Sequence, residues 1–407
     1  MNTHVFQLYQ AHEKPVLLRR ENAFLEALHD IDYGRLSIIT PEHRQMEFYG
    51  RYNGPAAVIS ISDWDVFDEL VARGEIGFAE AYMDGRWNSP DVTALMTFAL
   101  VNTVSLERFF HGKPLHALWH RIKSALRDNS LQGSRRNIQD HYDLGNDFYA
   151  LWLDKSMTYS CGLFGGENTL SLEQAQQAKY ERILDKLEAR PGDHVLDMGC
   201  GWGGFALVAA ARGIQVTGIT ISQQQADYAR QKIAQAGLTG MVSIQLCDYR
   251  EIEGLYDHVV SIGMFEHVGE KYWADYFRII YNHLKPTGSA MVQSITLDAH
   301  LFETLHGTSG FMDTYIFPGA MLPSKYRLQH AAKKEGLITG DLFAFGEDYA
   351  ITLGHWLKAF DVQRPAIVKM GYDERFIRMW RFYLSSCIAG FVSRRVDVVQ
   401  LQLKHGL

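Results

Sequence analysis

The octapeptide Asp197-Met198-Gly199-Cys200-Gly201-Trp202-Gly203-Gly204 has the residue types for gripping a nucleotide-like ligand. Glycine lets backbone approach a ligand closely and takes left-handed conformations at little cost. The octapeptide joins a short apolar run, His194 to Met198, to a helical stretch from about Gly203 to Arg212. That strand-to-helix crossover is where open α/β sheets bind ligands. Gly199, Gly201 and Gly204 also satisfy GxGxxG, a weak motif alone, so a dinucleotide must be weighed. A dinucleotide site wants an acid roughly 20 residues on, at the end of the second strand. Here that strand ends Thr217-Gly218-Ile219-Thr220-Ile221-Ser222, with no acid. Asp197, two residues before the first glycine, is the acid typical of methyltransferases, and adenosylmethionine is favoured over a nicotinamide or flavin.

Other residues capable of chemistry are less telling by themselves. Glu266 and His267 follow an apolar strand and alone are a helix cap. Asp248 ends a strand and has the same bland reading. Tyr349 alone is packing, and Cys387 on an apolar stretch is a core thiol. The four cysteines, Cys161, Cys200, Cys247 and Cys387, are scattered without a CxxC pair, which argues against zinc and against a disulfide framework.

The elements around these residues form a regular series. Ser171 and Gln174 make a capping box for a helix to about Glu188. Strands follow at His194 to Met198, Gln215 to Thr220, 243–248, 258–263 and 290–296. The helices between them span about 203–212, 222–236 and 271–284, the last closed by Pro286 and Gly288. Alternating short apolar strands and helices predict a parallel sheet wrapped by helices. Residues 297–323 have no clear period, as expected of a functional loop or one holding short helices. Upstream, residues 1–120 read as a small, mainly helical domain with one short strand pair. Trp64 to Arg73 is helical, and Gly74, Gly77, Gly85 and Pro90 punctuate a turn-rich stretch. Residues 121–136 carry Arg121, Lys123, Arg127, Arg135 and Arg136 against Asp128 and read as a basic linker or surface helix. The catalytic domain is placed at 137–407.

Composition bounds the partners. The 407 residues suggest two domains, and 47% apolar content supports a large core. A net charge of −7 argues against a general nucleic-acid binder and leaves room for a local basic patch. The first 25 residues hold no signal-peptide pattern, and the most apolar stretch, Phe205 to Ala211, is far too short to span a bilayer.

Taken in order, the motifs resemble the cyclopropane fatty acid synthases, including the mycolic acid cyclopropane synthases, over about 137–404. They are His141-Tyr142-Asp143-Leu144-Gly145-Asn146-Asp147-Phe148-Tyr149, Tyr159-Ser160-Cys161, VLDMGCGWGG (195–204), GITISQQQ (218–225), MFEHVG (264–269), YIFPGAMLPS (315–324), FGEDYAITL (345–353) and YLSSCIAGF (383–391). The resemblance implies a Rossmann-like, seven-stranded class I methyltransferase domain preceded by a small domain of the phospholipid-acting members. It implies that Thr220, Ile221 and Gln225 contact ribose and methionine, which accounts for the missing acid. Tyr159 and Ser160 then cover the methionine end, and Asp248 lies near adenine. It further implies a bound bicarbonate as base, with Cys161, Glu266, Ile295 through its backbone, Tyr349 and Cys387 around it. Relatives commonly carry a histidine where this chain has Gln293, which hydrogen-bonds but does not titrate. The expected reaction is methyl transfer from S-adenosylmethionine to the double bond of an unsaturated phospholipid acyl chain, with ring closure. A methylene- or methyl-branched product is the alternative. Peripheral contact with the inner face of the membrane from the cytoplasm and a homodimer are also expected. Competing readings are a flavin or nicotinamide oxidoreductase and a lipid-binding protein on a decayed methyltransferase domain.

Overall fold

The computed structural model describes residues 24–110, 144–166, 169–305 and 310–406. The basic stretch 121–136 and His141-Tyr142-Asp143 lie outside them. The chain divides into two compact units, Met1–Lys113 and Pro114–Leu407.

The first unit contains β1 (Tyr33–Ile39), β2 (Gln45–Tyr49), β3 (Tyr52–Ile61), α1 (Asp65–Met83), β4 (Trp87–Asn88), α2 (Val92–Val101) and α3 (Thr103–Phe110). Its sheet has the order β2-β1-β3-β4. The helices expected here are present, but a four-stranded sheet replaces the single strand pair. Gly54 and Pro55 inside β3 (YNGPAAVISI) hide that strand's period. The expected turn-rich stretch is also corrected. The helix continues past a kink at Gly74 (φ 60°, ψ −142°) to Met83, because Ile76, Ala79, Tyr82 and Met83 are buried. The Asn102 side chain accepts from the Asp32 and Tyr33 amides and donates to the Tyr33 and Phe98 carbonyls, so a buried amide ties β1 to α2.

The second unit opens with α4 (Asn146–Ala150) and α5 (Leu172–Leu187). Then come β5 (His194–Met198), α6 (Gly204–Ala211), β6 (Gln215–Thr220), α7 (Gln223–Gln235), β7 (Val242–Leu246) and β8 (Tyr256–Ile262). The chain continues through α8 (Trp273–His283), β9 (Leu284–Leu297), α9 (Ala299–Leu305), α10 (Lys325–Lys334) and β10 (Leu337–Ala344). It ends with α11 (Gly346–Val362), α12 (Arg364–Lys369), α13 (Glu374–Val392) and β11 (Val396–His405). The seven strands lie in the order β10-β11-β9-β8-β5-β6-β7. The five from β9 to β7 are mutually parallel, while β11 runs antiparallel to both β9 and β10. This is the class I methyltransferase architecture. Alternation along β5 builds the two layers: Val195 joins the core of α5, α6 and α7, and Leu196 the core of α8 and α10.

The Ser171–Gln174 capping box is present, and Glu188 closes α5 in the left-handed region. Strand β9 is twice the expected length, running through Pro286 and Gly288 instead of starting after them. Its pairing with β8 shifts register between Tyr256 and His258, which absorbs the proline. The aperiodic stretch after β9 holds α9 and a π-helical turn, Met312–Ile316.

Candidate active site

One cavity opens at the carboxyl ends of β5, β6, β7 and β8, around the point where strand order reverses. Gly199, Gly201 and Gly203 have φ of 79°, 52° and 85°, values that only glycine takes freely. The Gly199 and Cys200 amides both donate to the Ile219 carbonyl, at 3.1 and 2.9 Å, and pin the loop to β6. A Cβ on Gly201 meets no protein atom within 4 Å, whereas one on Gly204 presses on Thr158 and Tyr180. Gly201 is thus bare toward open space, and Gly204 is bare because helix and cover pack closely.

Tyr159, Ser160, Asp197, Gly199, Gly201, Thr220, Ile221, Gln225 and Asp248 all line this cavity. The Thr220 hydroxyl donates to Gln225 Oε1 at 2.8 Å and accepts from the Ser222 amide. That leaves the Gln225 amide group as the donor. Asp248 caps the short helical turn Tyr249–Glu251 and holds the Arg250 guanidinium through both oxygens, at 2.7 and 2.8 Å. Cap and cavity wall are therefore one residue. Asp197 is 1% exposed, and its Oδ2 has no hydrogen-bond partner. Burial raises its carboxyl from 3.8 to about 7, against a lowering pull from Lys179. His267 also lines the cavity, and burial pushes it down to about 4, which keeps it neutral.

The other predicted residues form a second cluster beside the cavity. Glu266, 4% exposed, accepts from the Ile295 amide at 2.6 Å through Oε1, while its Oε2 is buried without a partner. Burial raises its carboxyl from 4.5 to about 7, offset in part by the Ile295 amide. The Ile295 backbone therefore orients Glu266, and its carbonyl accepts from the Ser294 hydroxyl. Burial pushes the Tyr349 phenol well above its usual range, and Cys161, Tyr159, Glu266 and Cys387 push it further. The scattered predicted residues thus act electrostatically on one phenol. Cys161 is fully buried, donates its thiol to the Gly162 carbonyl at 3.1 Å, and is pushed up by burial. Gln293 stands apart. Its Oε1 accepts from Gln400 at 3.0 Å, and Gln400 accepts from Arg182, which pairs with Asp341 at 2.7 Å. It bonds neither Glu266 nor Tyr349.

Aromatic rings pack around Tyr159. Tyr159 packs against Tyr149, Trp152 and Trp356 with centroids 5.2–5.6 Å apart, and its hydroxyl meets that of Tyr383 at 2.8 Å. The patches at Trp273 to Phe277 and Trp380 to Tyr383 supply core residues.

Two residues escaped the sequence reading. Gln176 and Lys179 are fully buried on α5 and grip Ser160. Their signal was present, since they occupy the stripe that continues through Tyr180, Ile183, Leu184 and Leu187. A polar pair on an apolar stripe marks something to be bonded.

The comparisons agree with this geometry. The mycolic acid cyclopropane synthetase family matches residues 129–401. Tuberculostearic acid methyltransferase of Mycobacterium tuberculosis is 38% identical over 340 residues, covering 81% of this chain and 79% of that protein. Cyclopropane-fatty-acyl-phospholipid synthase of Escherichia coli is 36% identical over 366 residues, covering 87% and 90%. A mycolic acid cyclopropane synthase solved with SAH and CTAB superposes with a TM-score of 0.62 at 30% identity, covering 66% of this chain and 97% of that one. Fold, cavity and matched length together place this chain in the mycolic acid cyclopropane synthetase family, as an S-adenosylmethionine-dependent methyltransferase.

Proposed function

We propose that this enzyme methylates the cis double bond of an unsaturated phospholipid acyl chain and closes a cyclopropane ring, with bound bicarbonate as the base. The observation that carries this reading is Glu266: buried, oriented by the Ile295 amide, and left with one unpartnered oxygen beside the cavity. The glycine cradle, bare at Gly201 and walled by Asp197, fits adenosylmethionine, which supplies an electrophilic methyl when bound. Asp248 would hold the adenine end with its remaining lone pairs, Thr220, Ile221 and Gln225 the ribose, and Tyr159 and Ser160 the methionine end. Glu266 Oε2 and the Tyr349 hydroxyl would hold bicarbonate, with Cys161 and Cys387 beside them, and the anion supplies a proton acceptor.

The chemistry explains the aromatic wall. An alkene is a weak nucleophile, so it must be positioned closely, and the cation left on the acyl chain must be kept from water. Tyr159, which lines the cavity and is backed by the buried rings of Tyr149, Trp152 and Trp356, supplies apolar surface of the kind that exclusion needs.

Among the described residues no helix is long and apolar enough to cross a membrane. We place the enzyme peripherally on the inner membrane face, in the cytoplasm, as a homodimer. The N-terminal domain (1–120) and the basic linker (121–136) would make the contact. The relative named as a cyclopropane-fatty-acyl-phospholipid synthase, matched over 90% of its length, supports the phospholipid substrate.

Gln293 favours a second reading, because its oxygen is tied to Gln400 and its amide cannot take up a proton. A 1,2-hydride shift that moves the cation to the methyl-bearing carbon, followed by loss of a methyl proton, would give a methylene branch. The test is transfer of labelled methyl to unsaturated phospholipid vesicles, followed by proton NMR of the lipid. Upfield ring protons are expected. Alkene-region methylene signals without them would overturn the ring and leave methyl transfer standing, and no label in lipid would overturn the whole reading.

A further inference from the structure

Lys179 has 0% of its surface exposed. A lysine is almost never fully buried unless it is paired. Its Nζ instead donates to two neutral oxygens, Ser160 Oγ at 2.6 Å and Gln176 Oε1 at 2.7 Å. Gln176 turns its other end back, donating from Nε2 to the Ser160 carbonyl at 2.7 Å. Ser160 is clamped at side chain and backbone together, and it lines the cofactor cavity while Lys179 and Gln176 do not.

We propose that Lys179 is a positioning residue whose ammonium form turns the Ser160 hydroxyl hydrogen toward the cavity, where it donates to the carboxylate of the bound cofactor's amino-acid end. The inference rests on the assignment of Ser160 to that end. An ammonium has three donors and no acceptor, so a hydroxyl facing it accepts and keeps its own hydrogen for another partner. A neutral amine has a lone pair. The Ser160 hydroxyl can then turn back to it, and the cavity loses a donor.

The surroundings bring this switch near neutral pH. Facing Nζ are Cys161 beside Ser160, Asp154 from the preceding loop, Asp197 from β5, and the Tyr180 ring at 4.3 Å from α5 itself. Burial outweighs the carboxylates and lowers the lysine from 10.5 to about 7. Below that value Ser160 is a donor to the ligand, and above it the donor is lost.

The test compares two probes on the full chain by titration calorimetry: S-adenosylhomocysteine, which has the amino-acid end, and 5′-methylthioadenosine, which lacks it. In the wild type, adenosylhomocysteine should weaken about tenfold between about pH 6 and about pH 8, because the competent fraction falls by that factor. Methylthioadenosine should not change. Lys179→Met should bind adenosylhomocysteine weakly at every pH while keeping wild-type affinity for methylthioadenosine, which also reports an intact cavity. Lys179→Arg, whose guanidinium stays charged, should bind tightly without a slope. A wild-type slope retained in Lys179→Met, or equal loss of both probes, overturns the role of Lys179. If the wild type binds neither probe, the cofactor assignment itself falls.

Discussion

Replacing Glu266 by Gln removes one buried charge and little else. Gln keeps an oxygen for the Ile295 amide and puts an NH₂ group where Oε2 lies without a partner. Burial lifts the carboxyl from 4.5 to about 7. At about 1.4 kcal/mol per unit, the folded protein disfavours the ionised form by about 3 kcal/mol. A raised carboxyl means that the folded state holds its proton more tightly than the unfolded chain. The penalty is therefore absent below about pH 4, grows as pH rises toward 7, and is full above that. Glu266→Gln should gain about 3 kcal/mol at about pH 8 and under about 1 kcal/mol at about pH 5. Each kcal/mol moves the melting midpoint by roughly 2 °C or slightly less for a unit of this size. If the charge orients the base, turnover should fall by roughly 10²–10⁴ in the same variant. Calorimetric melting at both pH values and a labelled-methyl assay measure the two effects. A variant that melts lower than wild type at pH 8, or turns over at a near wild-type rate, would refute the reasoning and leave Glu266 a structural tie to β9.

Two further outcomes are expected. Gly201→Val should abolish adenosylhomocysteine binding, because its side chain enters open cavity space and φ of 52° is strained for a β-branched residue; undiminished affinity in a folded variant removes the loop from the site. Neutralising Arg121, Lys123 and Arg127 should weaken binding to anionic vesicles by about 1 kcal/mol per charge, as should added salt; sedimentation indifferent to both changes makes this segment a plain linker.

The glycine loop and the five strands from β5 to β9 were legible because local signals coincide there: apolar runs of strand length, a capping box, and glycine where φ must be positive. Strands β10 and β11 were not placed from local pattern. In β10, Gly340 and Asp341 interrupt the run at a register shift, and the antiparallel return of β11 is a matter of topology. The cofactor candidates lie within motifs, so finding them together needed little beyond the first three strands. The second cluster is different. Glu266 meets Ile295 across 29 residues, and Gln293 meets Gln400 across 107, distances over which no periodicity speaks. Only the family resemblance brought those residues onto one list, and it did not reveal the partner that Gln293 takes.

That partner bears on how the site uses protons. Three buried groups stand near neutrality: Glu266 in the second cluster, Asp197 on the cavity wall, and Lys179 behind Ser160. The rest are driven away from it. Tyr349, Tyr383 and Cys161 are pushed up by burial, and His267 is pushed down to about 4. Gln293, which does not titrate, spends its oxygen on a chain running from Gln400 to the Arg182–Asp341 pair. Within the second cluster that leaves the Glu266 carboxyl as the group whose charge changes near pH 7. The pH response of turnover is then expected to follow Glu266, and that of cofactor affinity to follow Lys179 together with Asp197 on the cavity wall. The two are separable because they sit in different clusters, one bonded to the Ile295 amide and the other to the Ser160 hydroxyl.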